Sequence, residues 1–385
     1  MTTVAEILFW LCAVLLLYTH LGYPLALVLL VRARSIGGER KLDKLEVTDS
    51  IPVAPTVSLI IPAYDEEEVI AAKVANALAL DYPRESLQVI VASDGSSDAT
   101  AERARAAGAD LVLELPAGGK VAALNAGVEQ ADGELLAFSD ANSIWAPDAL
   151  RRLIEPFADP AVGYVCGQVR FVDPSGDNLE GAYWRYEMAV REMESELAGV
   201  TAGNGAIYAV RASSYLPLRP SGSHDLSFPF GLAKRGQRSL YAAEARAEEK
   251  MVPTLEGEFA RKRRMMVGLW DIVVGEGMLS PHGYSPLYAF ELVSHRLLRY
   301  LSPLLHVVVF LANLVLLGDG WFYYLTFLLQ LGILAAALLA PRLPEMMVVR
   351  VCRYYVLTTA SIAAGLWDRW RQGAGGRWEK AEGTR

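Results

Sequence analysis

Cysteine is scarce in this chain of 385 residues: only Cys12, Cys166 and Cys352, with no CxxC pair. That excludes a disulfide framework and a cysteine-based zinc site, and predicts buried free thiols in a reducing setting. Basic excess is missing too. The 36 Lys and Arg against 44 Asp and Glu leave a net charge of −8, which argues against nucleic acid as a partner. Neither GxxxxGK[ST] nor GxGxxG occurs, so both common phosphate loops are absent. Finally, three long stretches contain no Asp, Glu, Lys or Arg.

Those stretches are 8–31, 300–318 and 321–341. The first is long enough to cross a hydrocarbon core as a helix. A cleavable signal peptide fits it poorly, because the apolar run is too long and no Lys or Arg precedes it. The other two are separated only by Asp319 and Gly320, which reads as a transmembrane hairpin. Arg32, Arg34, Arg296, Arg299 and Arg342 flank these runs, and the positive-inside bias puts residues 33–299 in the cytoplasm. The last apolar segment is interrupted by Arg350 and Arg353 and followed by Arg369, Arg371, Arg377 and Lys380. It is expected to lie on the membrane surface among lipid headgroups, with a shortened fourth span as the alternative. Residues 281–299 mix Leu, Tyr and Phe with Glu291, His295, Arg296 and Arg299, an amphipathic pattern.

Between the ends, apolar runs alternate with helical periodicity. VSLIIPAY (57–64), LQVIVASD (87–94), LVLEL (111–115) and ELLAFSD (134–140) read as strands, and 66–80, 98–107 and 120–131 as helices. This order specifies an α/β fold, a mostly parallel sheet flanked by helices, with ligands at the carboxyl ends of the strands. Beyond 150 the alternation loosens: 162–171 and 203–211 read as strands and 180–198 as a helix, folding back over the sheet edge to form an acceptor side.

Five clusters carry candidate chemistry. SDGSSD, from Ser93 to Asp98, ends the second strand; Asp94 there can accept from a base or ribose, or merely shape a turn. SDAN, from Ser139 to Asn142, ends the fourth strand, where Asp140 and Asn142 are two oxygen donors for a hard divalent ion. Gly118–Lys120 opens a helix, and Lys120 adds a mobile positive charge at an anion-favouring terminus. In SHDLSFPF, Asp225 is a carboxylate able to take a hydroxyl proton, or a helix cap, with His224 as an orienting partner. Arg261–Arg264 can grip a diphosphate or rest on anionic headgroups.

In this order the pieces resemble the large inverting glycosyltransferase family that includes cellulose, chitin and hyaluronan synthases. The carriers are IPAYDEEEVI (61–70), ASDGSSDAT (92–100), GGKVAALNAG (118–127), FSDANS (138–143), GNGAIYAVR (203–211), HDLSF (224–228) and RKRRMMVG (261–268). The resemblance covers roughly 55–275 and implies a GT-A fold that binds a nucleotide-sugar, commonly a UDP-sugar. By the same resemblance, Asp94 is the nucleoside-binding aspartate, with Ala63, Tyr64 and Glu66 beside base and ribose. Asp140 is the first member of a DxD-type motif, and Asn142 stands where a metal-contacting aspartate is usual. Asp225 matches the general base, with His224 in place of the preceding glutamate, and Gly203, Asn204 and Gly205 match the wall near the acceptor. Arg264 keeps the arginine of a QxxRW motif whose glutamine and tryptophan are replaced by Arg261 and Met265.

The expected plan is a transmembrane helix (1–34), a linker (35–55), a cytoplasmic GT-A domain (56–275), an amphipathic interfacial helix (276–299), a transmembrane hairpin (300–341) and an interfacial or fourth transmembrane helix with a basic tail (342–385). The implied reaction is a single inverting displacement: Mg²⁺ or Mn²⁺ at Asp140 and Asn142, with Lys120 and Arg264, holds the diphosphate, and Asp225 deprotonates a lipid-linked or membrane-proximal glycan acceptor. Three alternatives stay open: a processive polysaccharide synthase, a non-catalytic scaffold or sugar-nucleotide sensor, and a nucleotidyltransferase.

Overall fold

The computed structural model describes residues 2–36, 54–172, 179–219, 222–250, 255–344 and 346–372. Most of the expected linker and the end of the basic tail lie outside the described residues. The chain divides into two compact units, one chiefly Val31–Pro253 with Gly268–Ala289, the other Met1–Leu30, Thr254–Val267 and Phe290–Gly373.

The first unit is built on one sheet of eight strands: β1 (Val57–Ala63), β2 (Leu87–Asp94), β3 (Leu111–Leu115), β4 (Leu135–Phe138), β5 (Ile144–Trp145), β6 (Val162–Val172), β7 (Tyr208–Arg211) and β8 (Arg238–Lys250). Their order across the sheet is β3-β2-β1-β4-β7-β6-β8-β5. The four strands anticipated from the first half are parallel, and from β7 onward the sheet is mixed. The second-half strands do not fold back over the edge. β7 pairs antiparallel with β4 and carries the same sheet onward.

Every residue of β1 is buried, as continuous Val, Leu and Ile require of a strand covered on both faces. Successive side chains enter opposite cores. Leu59 and Ile61 join Val74, Leu150 and Leu153 on one face. Ile60 joins Ile90, Leu124 and Phe138 on the other. Each fully buried side chain of this size contributes on the order of 1.5–3 kcal/mol relative to exposure.

The helix expected over 66–80 is Ile70–Leu78, because Asp65 takes φ 49° and the chain turns through Glu66–Val69 first. The strand expected from 203 begins at Tyr208, since Asn204 Oδ1 accepts the amides of Ala206 at 3.1 Å and Ile207 at 2.9 Å and folds 203–207 into a turn.

The second unit is helical. Thr2–Ile36, Pro286–Val315 and Trp321–Arg342 are long and apolar enough to cross a membrane. The first two segments and the start of the third share a core of Ala5, Phe9, Cys12, Val309, Ala312, Leu316 and Tyr323. Met347–Gln372 is a single helix outside those three candidate spans. It lies against Leu255–Val267, where a Cβ on Gly365 would come within 2.5 Å of the Met266 Cβ. Arg263 donates to Asp368 and Lys262 to the Tyr354 hydroxyl at 3.0 Å. All three cysteines are free.

Candidate active site

The carboxyl ends of β1, β2 and β4 come together through their register, which pairs Ala63 with Ser93 and Ile60 with Phe138. At the end of β2, Asp94 is almost wholly buried. Its Oδ1 accepts the Gly118 amide at 2.7 Å and its Oδ2 the Gly119 amide at 2.8 Å. A buried carboxylate holding two N–H groups in this way is a charge-assisted anchor. Gly95 has φ +67°, and a Cβ there would lie 2.8 Å from the Ala117 amide nitrogen. The SDGSSD turn and the GGK turn therefore fold as one piece.

That piece aims Lys120. Its ammonium donates to Asp140 Oδ1, just past the end of β4. Burial works against the lysine charge, but Asp140 beside it and the fields of Asp225 and Glu249 prevail and lift Lys120 above the ordinary lysine value. Gly205 faces the pair: a Cβ there would meet Lys120 Nζ at 3.2 Å and Asp140 Oδ2 at 3.4 Å. The space a side chain would fill is thus left open beside a cation and a carboxylate.

Asp225 opens the helix His224–Ala233. Its Oδ1 accepts from Ser223 Oγ, and its backbone carbonyl accepts the Gly203 amide at 2.7 Å. The glycine turn and Asp225 are tied directly, while Lys120 feels the charges of both Asp140 and Asp225. Asp94 thus anchors the turn that delivers Lys120 to Asp140, and Asp225 is tied to the Gly203 turn.

The side chains of His224 and Asn204 are engaged in the core. His224 is buried in an aromatic cluster with Phe138, Tyr208, Tyr215 and Phe228. Its Nδ1 lies 2.7 Å from the Tyr208 hydroxyl and its Nε2 3.5 Å from that of Tyr215, which itself donates to Asn125 Oδ1 at 2.6 Å. This pattern assigns the proton to Nε2. Burial first, then the Lys120 charge, pushes the imidazole down to about 3. His224 is therefore a neutral core residue whose ring is engaged by tyrosines. The Asn204 side chain is likewise spent inward, donating to the Gly167 carbonyl at 2.8 Å as well as closing its own turn. Ala63 is buried within β1, Tyr64 is half-buried, and Glu66 is buried with its amide on Thr100 Oγ1 at 2.7 Å. Arg264 lies on Leu255–Val267, in the helical unit; Arg261 in that run is paired to Glu258 and Arg263 to Asp368.

Three features were not anticipated. Asp65 cross-links β1 to the SDGSSD turn, its amide donating to Ser96 Oγ at 3.0 Å and its Oδ1 accepting the Ser97 amide at 2.7 Å. Glu249, on the unpredicted strand β8, acts electrostatically on both Lys73 and Lys120. Lys73 itself is fully buried.

Residues 58–215 match Glycosyl transferase family 2. This segment is a family 2 glycosyl transferase domain. A glycosyltransferase, AglE, of Haloferax volcanii is 33% identical over 134 residues, 34% of this chain and 44% of that protein. An N-acetylglucosaminyltransferase of Rhizobium meliloti is 28% identical, covering 68% of this chain and 66% of its own length. A poly-beta-1,6-N-acetyl-D-glucosamine synthase of Staphylococcus aureus is 26% identical, covering 57% and 55%. The chain spans about half the length of the first of these relatives and of the synthase, and just under two thirds of the N-acetylglucosaminyltransferase. In three dimensions, a mannosyltransferase from Pyrobaculum calidifontis, solved with GDP-Man and Mn²⁺, superposes with a TM-score of 0.70 at 22% identity over 95% of this chain and 99% of that one. The GT-A fold of the family 2 domain, flanked by apolar helices, is thereby established.

Proposed function

We propose that the chain is an inverting glycosyltransferase that moves a sugar from a nucleoside diphosphate donor to a lipid-linked or membrane-proximal glycan acceptor. The observation that carries this reading is the placement of Lys120. A turn anchored on buried Asp94 delivers its ammonium to Asp140, beside the open space at Gly205. A cation at a helix start next to a carboxylate is suited to a diphosphate.

The donor set fits a divalent ion. Asp140 supplies one partly exposed carboxylate and Asn142 an amide oxygen; among the described residues no group of three His, Cys, Asp or Glu could hold a metal, so donor phosphates would have to complete the shell. Mg²⁺ is ordinarily held by one or two carboxylates completed by substrate phosphates, and Mn²⁺ suits the same oxygen donors. A bound ion of this kind supplies charge neutralisation to the departing diphosphate. Asp94, with Tyr64 and the backbone at Ala63 and Glu66, shapes the nucleoside side. Lys120 places a permanent positive charge beside the diphosphate. Asp225, steadied by Ser223 Oγ, accepts the proton of the acceptor hydroxyl as its oxygen attacks the anomeric carbon. One base and one charge-stabilised leaving group suffice for a single displacement with inversion, unlike the two-carboxylate arrangement of glycoside hydrolysis. The three helices able to span a bilayer support a membrane-borne enzyme, with its catalytic unit on the cytoplasmic side as the flanking arginines suggest.

The test is a panel of UDP-, GDP- and other nucleotide-sugars offered to the purified chain with extracted membrane lipids. Release of nucleoside diphosphate from one donor, dependent on a lipid fraction and yielding the inverted anomer, is expected. A retained anomer, or release of pyrophosphate, overturns the reading.

A further inference from the structure

Lys73 has no exposed surface, yet it lies within the apolar stripe of Ile70–Leu78, beside Ile70, Val74 and Ala77. Burying an ammonium there is costly. Burial pushes it down to about 7, against the opposing pull of the Asp140 and Glu249 carboxylates. A leucine or methionine would satisfy the core without that cost, so the contacts of the ammonium matter. It donates to the Ser143 carbonyl at 2.8 Å and lies 5.0 Å from the centre of the Trp145 ring. One turn on, Asn76 donates to the Trp145 carbonyl and accepts the Trp145 amide, both at 2.9 Å, as a neighbouring strand would.

From the other side, the Ala206 carbonyl accepts from Ser139 Oγ at 3.1 Å, Ser143 Oγ at 3.3 Å and Trp145 Nε1 at 2.9 Å. The segment 139–145 is thus clamped at Ser139 and again at Ser143–Trp145. Between the clamps stand Asp140 and Asn142.

We propose that Lys73 is a positioning residue for sugar transfer, whose buried ammonium, together with the Asn76 amide, fixes Ser143–Trp145 and so sets Asp140 and Asn142 toward a divalent ion and the donor diphosphate. This inference rests on the donor-site reading of Asp140 given above. Residues that hold ligands from behind typically change metal affinity 10–100-fold when removed.

The test uses the full chain and reads Mn²⁺ binding by electron paramagnetic resonance with UDP or GDP present, apart from turnover. In K73M the Mn²⁺–nucleotide affinity falls at least about tenfold while nucleotide affinity without Mn²⁺ is kept. K73Q, whose amide can still donate toward Ser143, recovers part of the loss. Equal Mn²⁺ affinity in wild type and K73M overturns the role of Lys73 and leaves the donor site standing. Absence of Mn²⁺-dependent binding in the wild type overturns the donor-site reading itself. Should K73M not fold, amide exchange of the wild type decides. Protection of 139–145 before Mn²⁺ and nucleotide are added supports the proposal, and free exchange until they are added overturns it.

Discussion

Asp94 and Gly118 are joined by a 2.7 Å hydrogen bond from the glycine amide to Oδ1, and the neighbouring Gly119 amide fills the second oxygen. The contact fixes where the following helix starts, and hence where Lys120 points. An asparagine at 94 would turn an NH₂ group toward one of these amides and lose the charge. D94N should therefore lower stability by about 1–3 kcal/mol and weaken nucleotide-sugar binding together. Thermal unfolding and calorimetric titration of the donor measure both. Loss of binding at full stability would show Asp94 touching nucleoside rather than shaping the turn.

Removing the lysine charge separates positioning from electrostatics. K120M leaves the Asp94 anchor intact but deprives the diphosphate of its cation. Transfer should fall roughly 10²–10³-fold, the usual loss when one preorganised charge-stabilising group is deleted. K120R should retain more activity than K120M. Steady-state rates with saturating donor distinguish them, and equal rates for all three proteins would remove Lys120 from the reaction.

His224 makes a prediction about pH. The buried ring stays neutral until about 3, whereas an unfolded chain titrates near the ordinary 6.5. As pH falls the unfolded chain takes up the proton first, so the stabilisation is complete above about 6.5 and drains away toward about 3. The melting temperature of the wild type should drop through this window more steeply than that of H224Q. Parallel curves for the two proteins would place the titration elsewhere.

Product length addresses the synthase alternative. Met265 replaces the tryptophan of the resembled motif and is 52% exposed on Leu255–Val267. Without an aromatic face to stack a growing chain, products from a defined acceptor should be longer by one or a few sugars, as mass spectrometry would show. Long polymers from a single engagement would favour the synthase.

Much of this was readable in the sequence because β1, β2 and β4 are apolar runs followed by polar or turn residues, Asp65, Gly95 and Asp140, and buried parallel strands leave that mark. β8 was not, since RSLYAAEARAEEK replaces Val and Ile with alanine and charge, and only its partners β6 and β5 define it. His224 and Asn204 look like cleft residues by polarity alone. Their direction depends on Tyr208, Tyr215 and Gly167, which the fold rather than local periodicity brings against them. Lys73 did leave a trace, three residues after Ile70 and one before Val74, where a charge inside a helical apolar stripe is out of place.

The central claim is that Asp225 removes the acceptor proton in transfer from a nucleotide-sugar. Single-turnover release of nucleoside diphosphate by D225N, compared with the wild type at matched donor occupancy, tests it most directly. Undiminished donor binding with release slowed roughly 10²-fold or more is the expected result. Release at the wild-type rate would contradict it.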